Sequence, residues 1–107
     1  MASRGQMTTV ATERLVCIRP DGKRVDVRLE IGRPYDTGHG DWACPVRLEG
    51  LRNQLADIHG VSSLQALCLA ASLLRSLLMT FIEDGGQVLH DDGSAFNVDS
   101  TFSSISS

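Results

Sequence analysis

The clearest pattern in the chain is alternation of apolar and polar residues in "ERLVCIRPDGKRVDVRLEI", residues 13–31. It runs on both sides of Pro20-Asp21-Gly22, where proline presets φ and glycine supplies positive φ. A three-residue loop there sets Cys17 opposite Val25 and Leu15 opposite Val27. Leu15, Cys17, Val25, Val27, Leu29 and Ile31 then share one face, while Arg24, Asp26, Arg28 and Glu30 share the other. This reads as a hairpin with one buried and one solvated face, the Arg/Asp/Glu positions being a solvated sheet surface. Val16 and Ile18 fall on the outer face as well.

A Gly, Pro and Asp-rich loop, residues 32–41, leads to "WACPVRLEG", a third strand with Trp42, Cys44, Val46 and Leu48 on one face. Pro45 lacks a backbone N–H, so this strand is expected at an edge or to carry a bulge. "LRNQLADIHG" fits a fourth short strand, Ala56 and Ile58 alternating with Asp57 and His59, or one helical turn; the strand is favoured. From Ser62 the period becomes helical. Ser62 and Gln65 form a capping box, and Gly85-Gly86 ends the helix, giving residues 62–84. At 100° per residue its polar positions, Gln65, Ser72, Ser76, Glu83 and Thr80, form a sliver, and the rest is almost wholly apolar. Arg75 interrupts the apolar runs, which stay far short of the ~20 residues of a bilayer span. "QVLHDDGSAFNV" fits a second hairpin turning at Asp91-Asp92-Gly93.

The expected fold is α+β, an antiparallel sheet of three or four strands packed on one long helix. Leu64, Leu67, Cys68, Ala71, Leu74 and Leu78 are expected to face the sheet. One domain, residues 12–98, lies between a flexible lead, 1–11, and a disordered serine-rich tail, 99–107.

Composition narrows function by exclusion. A formal net charge of -3 argues against nucleic-acid binding, which needs a basic face. The N-terminal residues hold no apolar run, so no secretory signal is expected. Cys17, Cys44 and Cys68 are odd in number and form no Cys-x-x-Cys pair, which suits free core thiols in a cytoplasmic protein. His39, His59 and His90 are scattered, and neither "His39-Gly40-Asp41" nor "His90-Asp91-Asp92" has metal-ligand spacing. No catalytic, cofactor or metal residues are expected. Gly60-Val61-Ser62-Ser63-Leu64 resembles the step at which acyl carrier proteins present a modified serine, but their serine follows an Asp and their fold is a helical bundle. Helix capping accounts for these serines.

Trp42-Ala43-Cys44-Pro45 followed by Gly60-Val61-Ser62-Ser63-Leu64-Gln65-Ala66-Leu67 resembles a family of small uncharacterised bacterial proteins, with a Trp-x-Cys-Pro strand and a Gly-x-Asp-Ser-x-Gln-Ala-Leu helix start. Ser62 stands where Asp is usual there, and both residues cap helices well. The resemblance covers residues 12–98 and implies a bacterial cytosolic setting, with no activity, cofactor or catalytic residue.

Two functional classes are left. The first is a non-enzymatic interaction module, an adaptor or neutralising protein, homodimeric because one sheet covers only one side of so apolar a helix. Its expected interface draws on Leu69, Leu73, Leu77 and Met79, with Val16 and Ile18 as a second possible contact. The alternative is a small thiol-dependent or ligand-binding enzyme using a cysteine with His59 or His90.

Overall fold

The computed structural model describes residues 7–106, with side chains described through Phe102. Strands β1 (Thr9–Ile18) and β2 (Arg24–Gly32) form the expected hairpin. Cys17 pairs with Val25 and Leu15 with Val27, and the loop closes through hydrogen bonds between Arg19 N–H and the Lys23 carbonyl and between Gly22 N–H and the Arg19 carbonyl, both 2.8 Å. Gly22 has φ +90°, as the turn chemistry requires. β1 begins inside the expected lead, at Thr9, because Thr9 and Ala11 pair with Gly32 and Ile31. The lead's residues 1–6 lie outside the described residues.

Pro45 divides the third strand more sharply than an edge or bulge would. Before it, β4 (Trp42–Cys44) is the middle strand of a small sheet in the order β3-β4-β6, where β3 is Tyr35–Asp36 and β6 is Ile58–Gly60. After it, β5 (Val46–Glu49) is an edge strand of a four-stranded sheet in the order β5-β2-β1-β7, where β7 is Gln87–His90. Every pairing is antiparallel. The fold is α+β with two sheets, where one was expected. A proline has no N–H to carry a ladder across the corner, so the chain turns there, and the Pro45 carbonyl still accepts from Gly32 N–H at 2.8 Å. Of the expected fourth strand only Ile58–Gly60 joins a ladder.

Helix α1 (Ser63–Glu83) runs between the sheets. By length and composition it is apolar enough to cross a membrane, despite its interrupted runs; here it is the spine of the core. Its buried side is Ala66, Ala70, Ala71, Leu74 and Leu78. Leu64, expected against the sheet, is 68% exposed, and Leu67 and Cys68 are only half-buried. The helix is rotated from the expected orientation because small residues decide how closely it is approached. A Cβ on Gly60 would lie 2.6 Å from the Ala66 backbone nitrogen, so β6 touches the helix only through a glycine facing an alanine. At the far end Asp84 caps the helix, Gly85 turns with φ +100°, and Gly86 lies under the Phe81 ring, 2.4 Å from where its own Cβ would be.

β7 completes the larger sheet by pairing with β1, Val88 opposite Cys17. The turn at residues 91–93 forms, but the returning arm makes a single bridge, Leu89 with Ala95, so no second strand follows. The serine-rich end, expected to be disordered, holds helix α2 (Val98–Ser106). Asn97 caps it, accepting from Ser100 N–H at 2.9 Å, and Val98 and Phe102 are buried against the core beside α1. Arg75 of α1 donates to Asp99 of α2 at 2.6 Å.

Candidate functional site

The residues of the helix start are committed to structure. The Ser62 hydroxyl oxygen accepts from Gln65 N–H at 3.1 Å, and the Gln65 side-chain oxygen Oε1 accepts from Val61 N–H at 2.7 Å. Two otherwise orphaned backbone donors are thus satisfied in one turn. Gly60 and Ala66 set the contact with β6, so Gly60, Ser62, Gln65 and Ala66 each have a packing or capping role.

Two of the three thiols are equally committed, while Cys68 is half-buried on α1. Cys17 and Cys44 are fully buried. The Cys44 thiol donates to the Gly32 carbonyl at 3.3 Å. Burial pushes both thiols up to about 11; Arg19 partly opposes this at Cys17, and the Asp57 charge adds to it at Cys44. A nucleophilic thiol needs the opposite shift. Ala43 pairs with His59 and Cys44 with Ile58, so His59 and Cys44 project from opposite faces of the small sheet. His90 packs edge-on against Phe96, ring centres 5.1 Å apart. Among the described residues no cysteine hydrogen-bonds a histidine.

The densest polar cluster covers the outer face of the small sheet. His59 Nδ1 lies 2.7 Å from Asp41 Oδ2, Thr37 donates to the other Asp41 oxygen, and the Tyr35 hydroxyl donates to Asp57 at 2.5 Å. The Thr37 hydroxyl, then His59, holds the Asp41 carboxyl below its ordinary range. The chain brings these residues together by pairing Ala43 with both Tyr35 and His59. Sequence spacing does not show this, since Asp41 and His59 meet only through the β4 and β6 ladder. The cluster pins the loop of residues 37–41 to β6 and leaves the imidazole partly in solvent. Among the described residues no group of three or more His, Cys, Asp or Glu is placed to hold a metal ion.

A family model described as "Domain of unknown function (DUF6968)" matches residues 12–97. The chain belongs to this family. No match to it is found among curated proteins or solved structures. The matched span of the DUF6968 chain contains most of β1, all six other strands and α1, and stops at Asn97, the cap of α2.

The six residues expected at an interface of the DUF6968 chain fall in three places. Leu69, Leu73 and Leu77 form an i, i+4, i+8 ridge on α1; Leu69 is 44% exposed, and the other two are half-buried against the core. Met79 is one turn from Arg75, whose guanidinium reaches Asp99, so it lies on the flank that α2 occupies. Val16 and Ile18 are on the outer face of the large sheet, away from the helices. Val16 is buried there, contrary to expectation, because β1 is an interior strand with Asp26 of β2 and Leu89 of β7 on either side.

Proposed function

We propose that this DUF6968 protein is a non-enzymatic protein-interaction module that acts as a homodimer, and that the leucine ridge of α1 is its contact. The observation that carries the reading is the exposed Leu69 at the head of a ridge that continues through Leu73 and Leu77. The ridge lies on the side of α1 turned roughly 160° from Arg75, and so away from α2. A ridge of this spacing meets its own copy across a two-fold axis, as in most closed oligomers.

The thiol-dependent alternative has less support, since the two fully buried thiols are held protonated and His59 is engaged by Asp41. We read Trp-x-Cys-Pro and Gly-x-Ser-Ser-x-Gln-Ala-Leu as the family's structural signature, because here Pro45 makes the corner between sheets and Gly60, Ser62, Gln65 and Ala66 build the helix start. Three unpaired thiols favour a reducing, cytoplasmic setting, and the resemblance favours a bacterial one.

Light scattering on dilute protein tests the reading. A mass of about 23 kDa, twice the 11.6 kDa of the chain, is expected. Leu69→Glu should return a folded monomer, with its circular dichroism unchanged. A clean monomer of the unsubstituted protein at micromolar concentration rules the dimer out.

A further inference from the structure

The outer face of the four-stranded sheet carries a row of charge that the fold leaves unused. Arg14 and Arg28 are direct partners across β1 and β2, and Glu49 is the partner of Arg28 on β5. Asp91 follows His90, the partner of Leu15, which brings it alongside Arg14. The order across the sheet is therefore acid, arginine, arginine, acid. All four line one cleft of about 410 Å³, with Val16 and the Arg24–Asp26 pair also in its wall.

Like charges directly opposite one another on an antiparallel pair are destabilising. The usual relief is a nearby carboxylate, but neither Glu49 nor Asp91 closes to an ion pair with these arginines, and the neighbouring acids on β2 are engaged elsewhere. Asp26 is 3.5 Å from Arg24, and Glu30 is 3.8 Å from Arg47 and accepts from the Thr9 hydroxyl. Among the described residues, neither the Arg14 nor the Arg28 guanidinium has an ion-pair or hydrogen-bond partner.

We propose that Arg14 and Arg28 form a binding site for a compact dianionic oxyanion: inorganic phosphate or the phosphate of a small monoester. Guanidinium forks present paired N–H donors matched to phosphate oxygens, and two forks on directly opposed residues, with Cβ atoms about 5 Å apart, can share one phosphate. The flanking acids set the selectivity. A single concentrated charge sits between the arginines, whereas an extended polyanion such as nucleic acid would lay its next phosphates over Asp91 and Glu49. This site is on the opposite side of the sheet from α1, so it stands or falls independently of the leucine ridge.

The test is titration of the full chain with inorganic phosphate and with phenyl phosphate at constant ionic strength, chloride serving as the control, followed by amide chemical shifts and thermal melting. Both phosphates should raise the melting temperature and shift β1 and β2 amides. A stronger effect of phenyl phosphate assigns the site to a monoester, and a stronger effect of inorganic phosphate assigns it to the free ion. Arg14→Gln and Arg28→Gln should each weaken binding about tenfold or more, the loss of one charge-assisted contact. Without ligand, each should melt higher than the unsubstituted protein, because the opposed charges are gone. A purely structural role for the arginines predicts the reverse for that last readout. Phosphate effects matched by chloride, or retained in both variants, overturn the proposal.

Discussion

The two sheets of this protein are built by different means. The larger one is organised on two long strands with period-two patterning, β1 and β2, whose hairpin is fixed by a local turn that both sides obey. The smaller one has strands of two and three residues, too short to carry a periodicity. Punctuation defines it instead: Pro45 separates β4 from β5, Gly60 admits the helix, and Thr37, Asp41 and His59 fasten the loop. Repetition along the chain specifies the first sheet, and single irreplaceable residues specify the second.

The contrast can be probed where the sheets share a core, and then where they do not. Leu74 is fully buried between them, and Leu74→Ala should lower unfolding free energy by roughly 2–5 kcal/mol in a denaturant titration, without restriction to either sheet. Next in size is an alkaline effect with one thiol in each sheet. The folded state holds Cys17 and Cys44 near 11 against an ordinary 9.0, so their contribution is complete below pH 9 and is lost as pH rises from about 9 to 11. The expected loss is on the order of 2–3 kcal/mol per thiol at most, and Cys44→Ala should remove only the small sheet's share of that pH dependence. Gly60→Ala drives a Cβ into the Ala66 backbone and should cost roughly 1–3 kcal/mol. Hydrogen exchange should speed up first in β4 and β6, while the β1 and β2 hairpin keeps its protection. The smallest effect is acidic. Because the folded Asp41 carboxyl lies below its ordinary 3.8, its contribution is present at neutral pH and is lost as pH falls below about 4. Asp41→Asn should flatten that limb of the stability profile by lowering the neutral melt slightly, with little further change at acid pH.

Legibility in the sequence followed the same division. The hairpin register and the helix limits could be read because alternation, the Ser62 and Gln65 capping box and Gly85 act within a few residues. The rotation of α1 could not, because the helix is apolar almost all round and leucine content does not single out a face; Ala66 and Ala70 are buried because they let backbones approach. α2 was hidden by its serines, although Asn97 followed by Val98 and Asp99 is a capped helix start and Phe102 anchors it. Cys17 and Cys44 were legible as core thiols. The meeting of Asp41 with His59, and of Arg14 with Asp91, depends on non-local ladders. Arg28 reads as ordinary solvated charge in the sequence, and its placement opposite Arg14 without a partner shows only in the paired strands.

The position of β7 has a kinetic consequence. β1 and β2 are joined by a three-residue loop and can zip within microseconds, whereas β7 must return to β1 across the intervening small sheet and α1. Until it arrives, β1 is an unprotected edge displaying Leu15-Val16-Cys17-Ile18, four consecutive apolar residues of the kind that recruits strands from other molecules. Refolding should therefore divide between productive closure and intermolecular pairing, with the yield falling as protein concentration rises. Supplying β7 in trans as a peptide, Gln87 through Phe96, would compete for that edge and shift the division.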